Sequence, residues 1–384
     1  YTLDGTSKLQ YSKPSDPKTS YLTWETIATW NIGLDMSFLN NRLTFTGDYF
    51  IRNTEGMLAD SYELPGVFGA KTPDENCADL RTNGWELYLG WNDSFALMGK
   101  RFNYTVSATL GDNKTVFTKF NNPEKNLSNH YEGKVLGEIW GYRVDGLFAS
   151  DEEAAEYTSK INQDAVNERI LTDKVDPYYR AGDLKFRDLD GDNVISKGDD
   201  TAYDAGDREI IGNETPRYMY SFRLGADWNG FDLGIFFQGV GKRDWYPNYL
   251  STGFWGPYSR AFTSFIPENF MDQCWSEENR DGYFPRFRGY QTFAGSQLGV
   301  NNDRYLQDAS YIRLKNLTVG YTLPVLKKVF TKLRVYFTGE NLWYWSPMLK
   351  HTKYIDPEAA GGNGNTGMAY NYSRNFSVGV DITF

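Results

Sequence analysis

The segment DLDGDNVISKGD, residues 188–199, sets carboxylates at Asp188, Asp190, Asp192 and Asp199. They occupy the first, third, fifth and twelfth positions of a loop whose spacing suits Ca²⁺, a hard cation that takes oxygen ligands in an adaptable shell. Val194 would add a backbone carbonyl at the seventh position and Ser196 a hydroxyl, often through water, at the ninth. Asn193 stands where glycine usually makes the sharp turn, and asparagine is the next best residue for a positive φ. Asp199 reaches less far than a glutamate would. The expected role is a Ca²⁺ staple for a loop, not a catalytic centre; the alternative is a solvated acidic turn.

A second chemistry lies in aromatic-rich stretches beside polar residues: EIWGYRV from Glu138, STGFWGPYSRAFTSF from Ser251 and NLWYWSP from Asn341. Exposed rings stack on sugars or clamp peptides, and neighbouring Arg, Asn and Asp supply hydrogen bonds. Phe254, Trp255, Tyr258, Trp343 and Trp345 are the candidate substrate contacts. Gly253, Gly256 and Pro257 disfavour regular structure around the first three and are expected to expose them. Packing of loop on loop is the alternative.

Other chemistry is sparse. No nucleophile, base and orienter stand in a recognisable motif, so the reading is not an enzyme and no organic cofactor is expected. His130 and His351 lack metal-ligand neighbours and read as surface residues. Cys77 and Cys274 read as unrelated loop cysteines, although sequence alone leaves their pairing open. A net charge of -10 argues against nucleic acid as a partner, because phosphate binding needs a basic face.

The elements that must carry these loops share one pattern. Trp30, Ile32, Leu34, Met36 and Phe38 alternate with Asn31, Gly33, Asp35 and Ser37. The same two-residue period, apolar against polar, runs through segments 43–52, 84–91, 102–110, 217–228, 231–238, 317–323, 333–340 and 375–384. Ile312 and Leu314 sit on the wrong parity for Leu317, which a bulge near Lys315 or Asn316 would repair. The polar positions hold Asp, Glu, Arg and Asn. A β-sandwich with a solvated face would also show this. Two features favour a transmembrane antiparallel barrel. Aromatics such as Trp30, Phe38, Trp85, Trp91, Phe102, Trp228, Phe231 and Phe376 gather toward the ends of the apolar faces, as interfacial girdles do. Connections also alternate between short turns and long loops, the long ones following Thr54, Asp112, Gly241 and Trp345.

Parity fixes the count. Every short turn falls on the periplasmic side only if residues 112–215 contain an even number of spanning strands. EIWGYRVDGLF is therefore assigned to a long extracellular loop, leaving nine strands. Nine would not close a single-chain bacterial barrel, so the chain is expected to be the C-terminal part of a larger one, a reading that would also account for the absence of a signal peptide. Phe384 would sit in the lower girdle, where the barrel assembly machinery reads C-terminal strands.

At this point LTWETIATWNIGLD, NGWELYLGW, AGDLKFRDLDGD, IIGNETPRYMYSFRLGADWNGFDLGIFFQG, CWSEENRDGYFPRF, YLQDASYIRLKNLTVGYTLP, LRVYFTGENLW and NFSVGVDITF can be read together. In order and number they resemble the SusC-like TonB-dependent transporters of Bacteroidetes outer membranes. The resemblance implies a barrel of about 22 strands, with an N-terminal plug and TonB box that are not evident here. It also implies a SusD-like surface lipoprotein as partner, energy from the TonB complex, and import of glycans or, in some members, oligopeptides. The 188–199 loop falls where the family carries a DxNGDG-like stretch, from which Asn193 departs. The competing reading is a carbohydrate-binding adhesin or β-sandwich module without transport; a glycoside hydrolase is a third.

Overall fold

The computed structural model describes residues 19, 21–60, 72–171, 176–260, 266, 268–288, 296–324, 331–361 and 371–384. Nine strands form one antiparallel sheet in chain order: β1 Thr26–Phe38, β2 Leu43–Asp60, β3 Asp74–Leu97, β4 Lys100–Lys119, β5 Arg217–Trp228, β6 Phe231–Lys242, β7 Tyr311–Thr322, β8 Lys332–Trp345 and β9 Asn375–Thr383. Neighbours in sequence pair throughout, and β4 pairs with β5 across the long insertion. This single sheet overturns the sandwich alternative. Among the described residues β1 and β9 each pair on one side only.

Local chemistry explains the hairpins. Met98–Gly99 and Asn229–Gly230 both take positive φ at the two central residues, the turn whose twist matches paired strands. At Gly230 (φ 88°) an added Cβ would also sit 2.7 Å from the Thr322 carbonyl oxygen. The expected bulge is present: Phe236 and Phe237 pair with Asn316 and Leu314, skipping Lys315. Ile312 and Leu314 thereby rejoin the face of Leu317.

The two faces differ as alternation requires. Ile32, Leu34, Leu89, Phe222, Leu224, Val319, Val335, Val378, Val380 and Ile382 are exposed on the apolar face. Rings belt its short-turn end, where Phe95, Phe102 and Tyr104 cluster with centroids 5.0–6.2 Å apart and Phe231 meets Tyr321 at 4.5 Å. A second group, Trp30 against Tyr49 at 6.4 Å, lies toward the other end. Trp30 and Phe38 are about eight residues, or about 26 Å, apart along β1, close to the apolar band of about 25 Å in outer-membrane barrels. On the opposite face the side chains pair with one another. Arg334 donates to Asp232 (2.6 Å) and Asp381 (3.0 Å), Asn103 to Asp227 (2.7 Å), and Thr46 to Asp35 (2.7 Å).

Strands β2, β3 and β4 are longer than the alternation indicates. They run to Asp60, back to Asp74 and on to Lys119, so the first residues of the 112–215 loop are strand. Apart from a small cluster at the upper ends of β3 and β4, where Ala78, Phe117 and Phe120 pack with Met57, Ala59 and Leu80, the buried core is not in the sheet. It lies in a crown built from the long loops, where Tyr142, Leu184, Phe186, Ile195, Trp245, Phe254, Trp255, Tyr258, Phe284 and Tyr305 pack together. EIWGYRVDGLF belongs to this crown as expected: Glu138–Tyr142 pairs with Arg208–Asn213, and Val144–Leu147 with Leu184–Phe186.

Candidate functional site

The acidic loop folds on its own side chains. Asp188 accepts from the backbone N–H of Gly191 (2.7 Å) and Asn193 (2.9 Å), Asp190 from Asp192 (3.1 Å), and Asp192 from Val194 (2.7 Å). Asn193 adopts φ 67°, the left-handed turn its type permits. Ile195 is fully buried in the crown core and anchors the loop from below. Among the described residues, one carboxylate oxygen each from Asp188, Asp190 and Asp207 lie within 4.8 Å of one another.

Asp207 was not anticipated. It is fully buried and accepts from Leu189 (2.7 Å) and Ser196 (2.7 Å), closing the loop. Asp192 and Asp199 stand outside this trio. Asp199, assigned the closing position by spacing, is exposed; Asp207 takes that place, because the chain makes a further turn before returning. Burial pushes the Asp207 carboxyl above its ordinary range, the two N–H donors pull it down, and Asp190 and Asp188 push it up again. A cation on this trio would relieve both the burial and the repulsion. Three carboxylates with nearby carbonyls and a hydroxyl are the hard-oxygen set that Ca²⁺ prefers. Ser196 offers less than expected: its backbone N–H donates to Asp207 and its Oγ accepts from Gly198 (3.1 Å).

The aromatic candidates separate into two groups, and neither lies exposed above a lumen. Trp255 and Tyr258 are fully buried and Phe254 is 2% exposed. Trp255 Nε1 donates to the Pro247 carbonyl (3.0 Å) and the Tyr258 hydroxyl to that of Pro285 (2.6 Å). Gly253 and Pro257 instead lie in two short helical turns, Thr252–Trp255 and Pro257–Arg260; only Gly256, at φ 50°, interrupts them, and the rings fold inward onto Phe284 and Tyr305. These three residues are core, not stacking faces. Trp343 and Trp345 are 48% and 54% exposed, but they pair in register with Leu314 and Ile312. Between them Tyr344 turns the other way, under the Arg313 guanidinium at 4.7 Å. Trp343 and Trp345 therefore face outward at the upper edge of the apolar surface, the position of an interfacial girdle.

His130 is exposed, as expected, and stacks on Phe117 (4.3 Å). His351 is less exposed than its sequence context suggests and stacks on Tyr283 (3.6 Å, planes 10° apart). Burial, with Lys350 and Arg304 nearby, lowers the His351 pKa from 6.5 to about 4, so it is neutral at pH 7. The cysteines are buried and not in polar loops. Cys77 lies in β3 with its thiol toward the Ala59 carbonyl (3.7 Å), and Cys274 in the crown core with its thiol toward Phe270 (3.6 Å).

The crown is tied to the sheet by a buried ion pair. Arg313, on β7 and 1% exposed, donates to Asp356, itself 1% exposed, and lies 3.1 Å from Glu358; Lys315 bonds Glu358 at 2.8 Å. Beside the crown core a cavity of about 430 Å³ is lined by residues of 253–283 and 350–354, Tyr283 and His351 among them.

No protein-family model matches the chain. Curated relatives similar to it include TonB-dependent receptor P3 of Formosa agariphila, 27% identical over 413 residues covering 100% of this chain and 36% of the relative. TonB-dependent receptor SusC of Bacteroides thetaiotaomicron is 23% identical, covering 97% of this chain and 34% of the relative. The solved structure of the RagAB peptide transporter superposes with a TM-score of 0.66 at 23% identity, over 100% of this chain and 38% of that one. The chain thus spans about a third of the length of these relatives. The resemblance to SusC-like TonB-dependent transporters holds along the whole chain, and the sheet is a stretch of outer-membrane β-barrel wall.

Proposed function

We propose, for a chain similar throughout to SusC-like TonB-dependent receptors, that it supplies barrel wall and extracellular crown to an importer of oligomeric nutrients. Glycans are the leading substrate class. A SusD-like lipoprotein would cover the crown and deliver substrate, and the TonB complex would energise passage through parts of the protein outside this chain. The observation that carries the reading is the pairing of one amphipathic sheet, apolar outward and polar inward, with a crown that has its own buried core. Such a crown holds its binding groups in place before substrate arrives, which lowers the entropy cost of capture. Phe384, 85% exposed at the end of the apolar face, would serve the assembly machinery. Ca²⁺ on Asp188, Asp190 and Asp207 would brace the crown and take no part in transport chemistry.

The test is uptake of labelled neutral oligosaccharides by cells carrying the whole protein. The proposal requires accumulation that stops when TonB is removed. Surface binding without TonB-dependent accumulation would favour the adhesin reading, and turnover of the oligosaccharide by purified protein would favour a hydrolase. Oligopeptide import is the second substrate reading, supported by the structural likeness to the RagAB peptide transporter.

A further inference from the structure

The cavity beside the crown core is built where two segments distant in sequence meet. One wall comes from residues 253–254 and 269–283, the other from 350–354. The Tyr283–His351 stack holds the seam. Tyr283 is itself fixed, because its hydroxyl donates to the Arg304 carbonyl (3.0 Å) and accepts from Gln307 (2.9 Å). Phe254 and Phe270, each 2% exposed, back the space. The cavity is therefore preformed, with a volume at the small end of ligand pockets, about 300–1,000 Å³. That size suits a short stretch of an oligomer.

Many of the crown's charged groups pair, Arg143 with Glu209 and Asp303, Arg180 with Asp151 and Asp176, Arg288 with Asp183, and Lys315 with Glu358; the acidic trio of Asp188, Asp190 and Asp207 is one exception. The cavity instead gathers Asp272 and Asp281 from one wall and Lys350 and Lys353 from the other. Among the described residues none of these four has an ion pair or side-chain hydrogen bond. With His351 neutral, the formal charges sum to zero, so the space selects for neither anions nor cations. It offers acceptors on one side and donors on the other. A sugar hydroxyl donates and accepts at once, so neighbouring hydroxyls can bridge a carboxylate and an ammonium. Tyr354, half exposed at the rim, adds a ring face for the apolar side of a sugar.

We propose that this cavity is a saccharide subsite that takes a short segment of a neutral oligosaccharide. Asp272, Asp281, Lys350 and Lys353 hold its hydroxyls and Tyr354 stacks on one ring. This rests on the import reading and names the contact point within the crown.

The test uses the whole protein purified in detergent. A panel of neutral oligosaccharides, namely α-glucan, β-glucan, xylan, mannan and galactan fragments, is titrated calorimetrically beside an acidic oligosaccharide and a tetrapeptide. At least one neutral oligosaccharide should bind. Tyr354→Ala and the double change Asp281→Asn with Lys353→Met should each weaken it about tenfold or more, while the barrel keeps its heat-modifiable migration. Binding by no member of the neutral panel, binding of the acidic sugar or peptide alone, or unchanged affinity in both variants would overturn the subsite. The two ideas fail differently. TonB-dependent uptake that ignores these variants removes the subsite and keeps import. Binding that needs them, without TonB-dependent uptake, keeps the subsite and removes import.

Discussion

Asp207 couples the acidic loop to proton concentration. Its carboxyl is raised chiefly by burial, so without metal the folded loop holds a proton more tightly than the unfolded chain does. That stabilisation is complete below the unfolded carboxyl's range and is lost as pH rises through the folded value. Ca²⁺ held on the trio as proposed would reverse the trend, because a cation binds the deprotonated carboxylates. Proteolysis of the 181–212 segment should therefore slow when Ca²⁺ is added at pH 7, with the protection fading as acid protonates the trio. Asp188→Ala should abolish the protection and leave the barrel assembled. Identical cleavage with and without Ca²⁺ would leave only a solvated acidic turn. His351 works in the opposite sense. Its folded pKa of about 4 lies below the ordinary 6.5, so its contribution to crown stability is present above 6.5 and lost between 6.5 and about 4. Hydrogen exchange across 346–356 should rise in that window and stay flat in His351→Gln; a rise of equal size in the variant would assign the effect to other groups.

At the level of the strand, parity makes the sharpest distinction. Val380 is 55% exposed on the apolar face, and next to it Asp381 accepts from Arg334 (3.0 Å) on the polar one. Val380→Arg should cost about 2–4 kcal/mol near the bilayer midplane. Asp381→Asn should cost under about 1 kcal/mol, because the pair is part-exposed and Arg334 keeps Asp232. Unfolding in urea from lipid vesicles measures both, and equal losses would contradict the assigned faces. The nine strands and the Lys315 bulge were legible because alternation is a local signal that each segment carries alone. The upper extensions of β2, β3 and β4 were not, since above the bilayer the lipid no longer enforces an apolar face. The crown was least legible. Phe254, Trp255 and Tyr258 look exposed between glycines and proline, and only contact with Phe284 and Tyr305, distant in sequence, shows where they go. Asp207 and the walls of the cavity were hidden for the same reason.

For the whole molecule, the central claim is that this sheet is outer-membrane barrel wall with lipid on one face and the lumen on the other. Among the described residues, the unpaired sides of β1 and β9, the apolar band between two aromatic belts, and the Arg334 ion pairs on the inner face all follow from that arrangement. The most direct measurement is spin-label accessibility along β9 in the whole protein reconstituted in lipid vesicles, with labels placed singly at residues 376–382. The account predicts a two-residue alternation: positions 376, 378, 380 and 382 accessible to membrane-dissolved oxygen, and 377, 379 and 381 to a water-soluble nickel chelate. Equal access to the chelate at all seven positions, with protein that stays monodisperse without detergent, would contradict it.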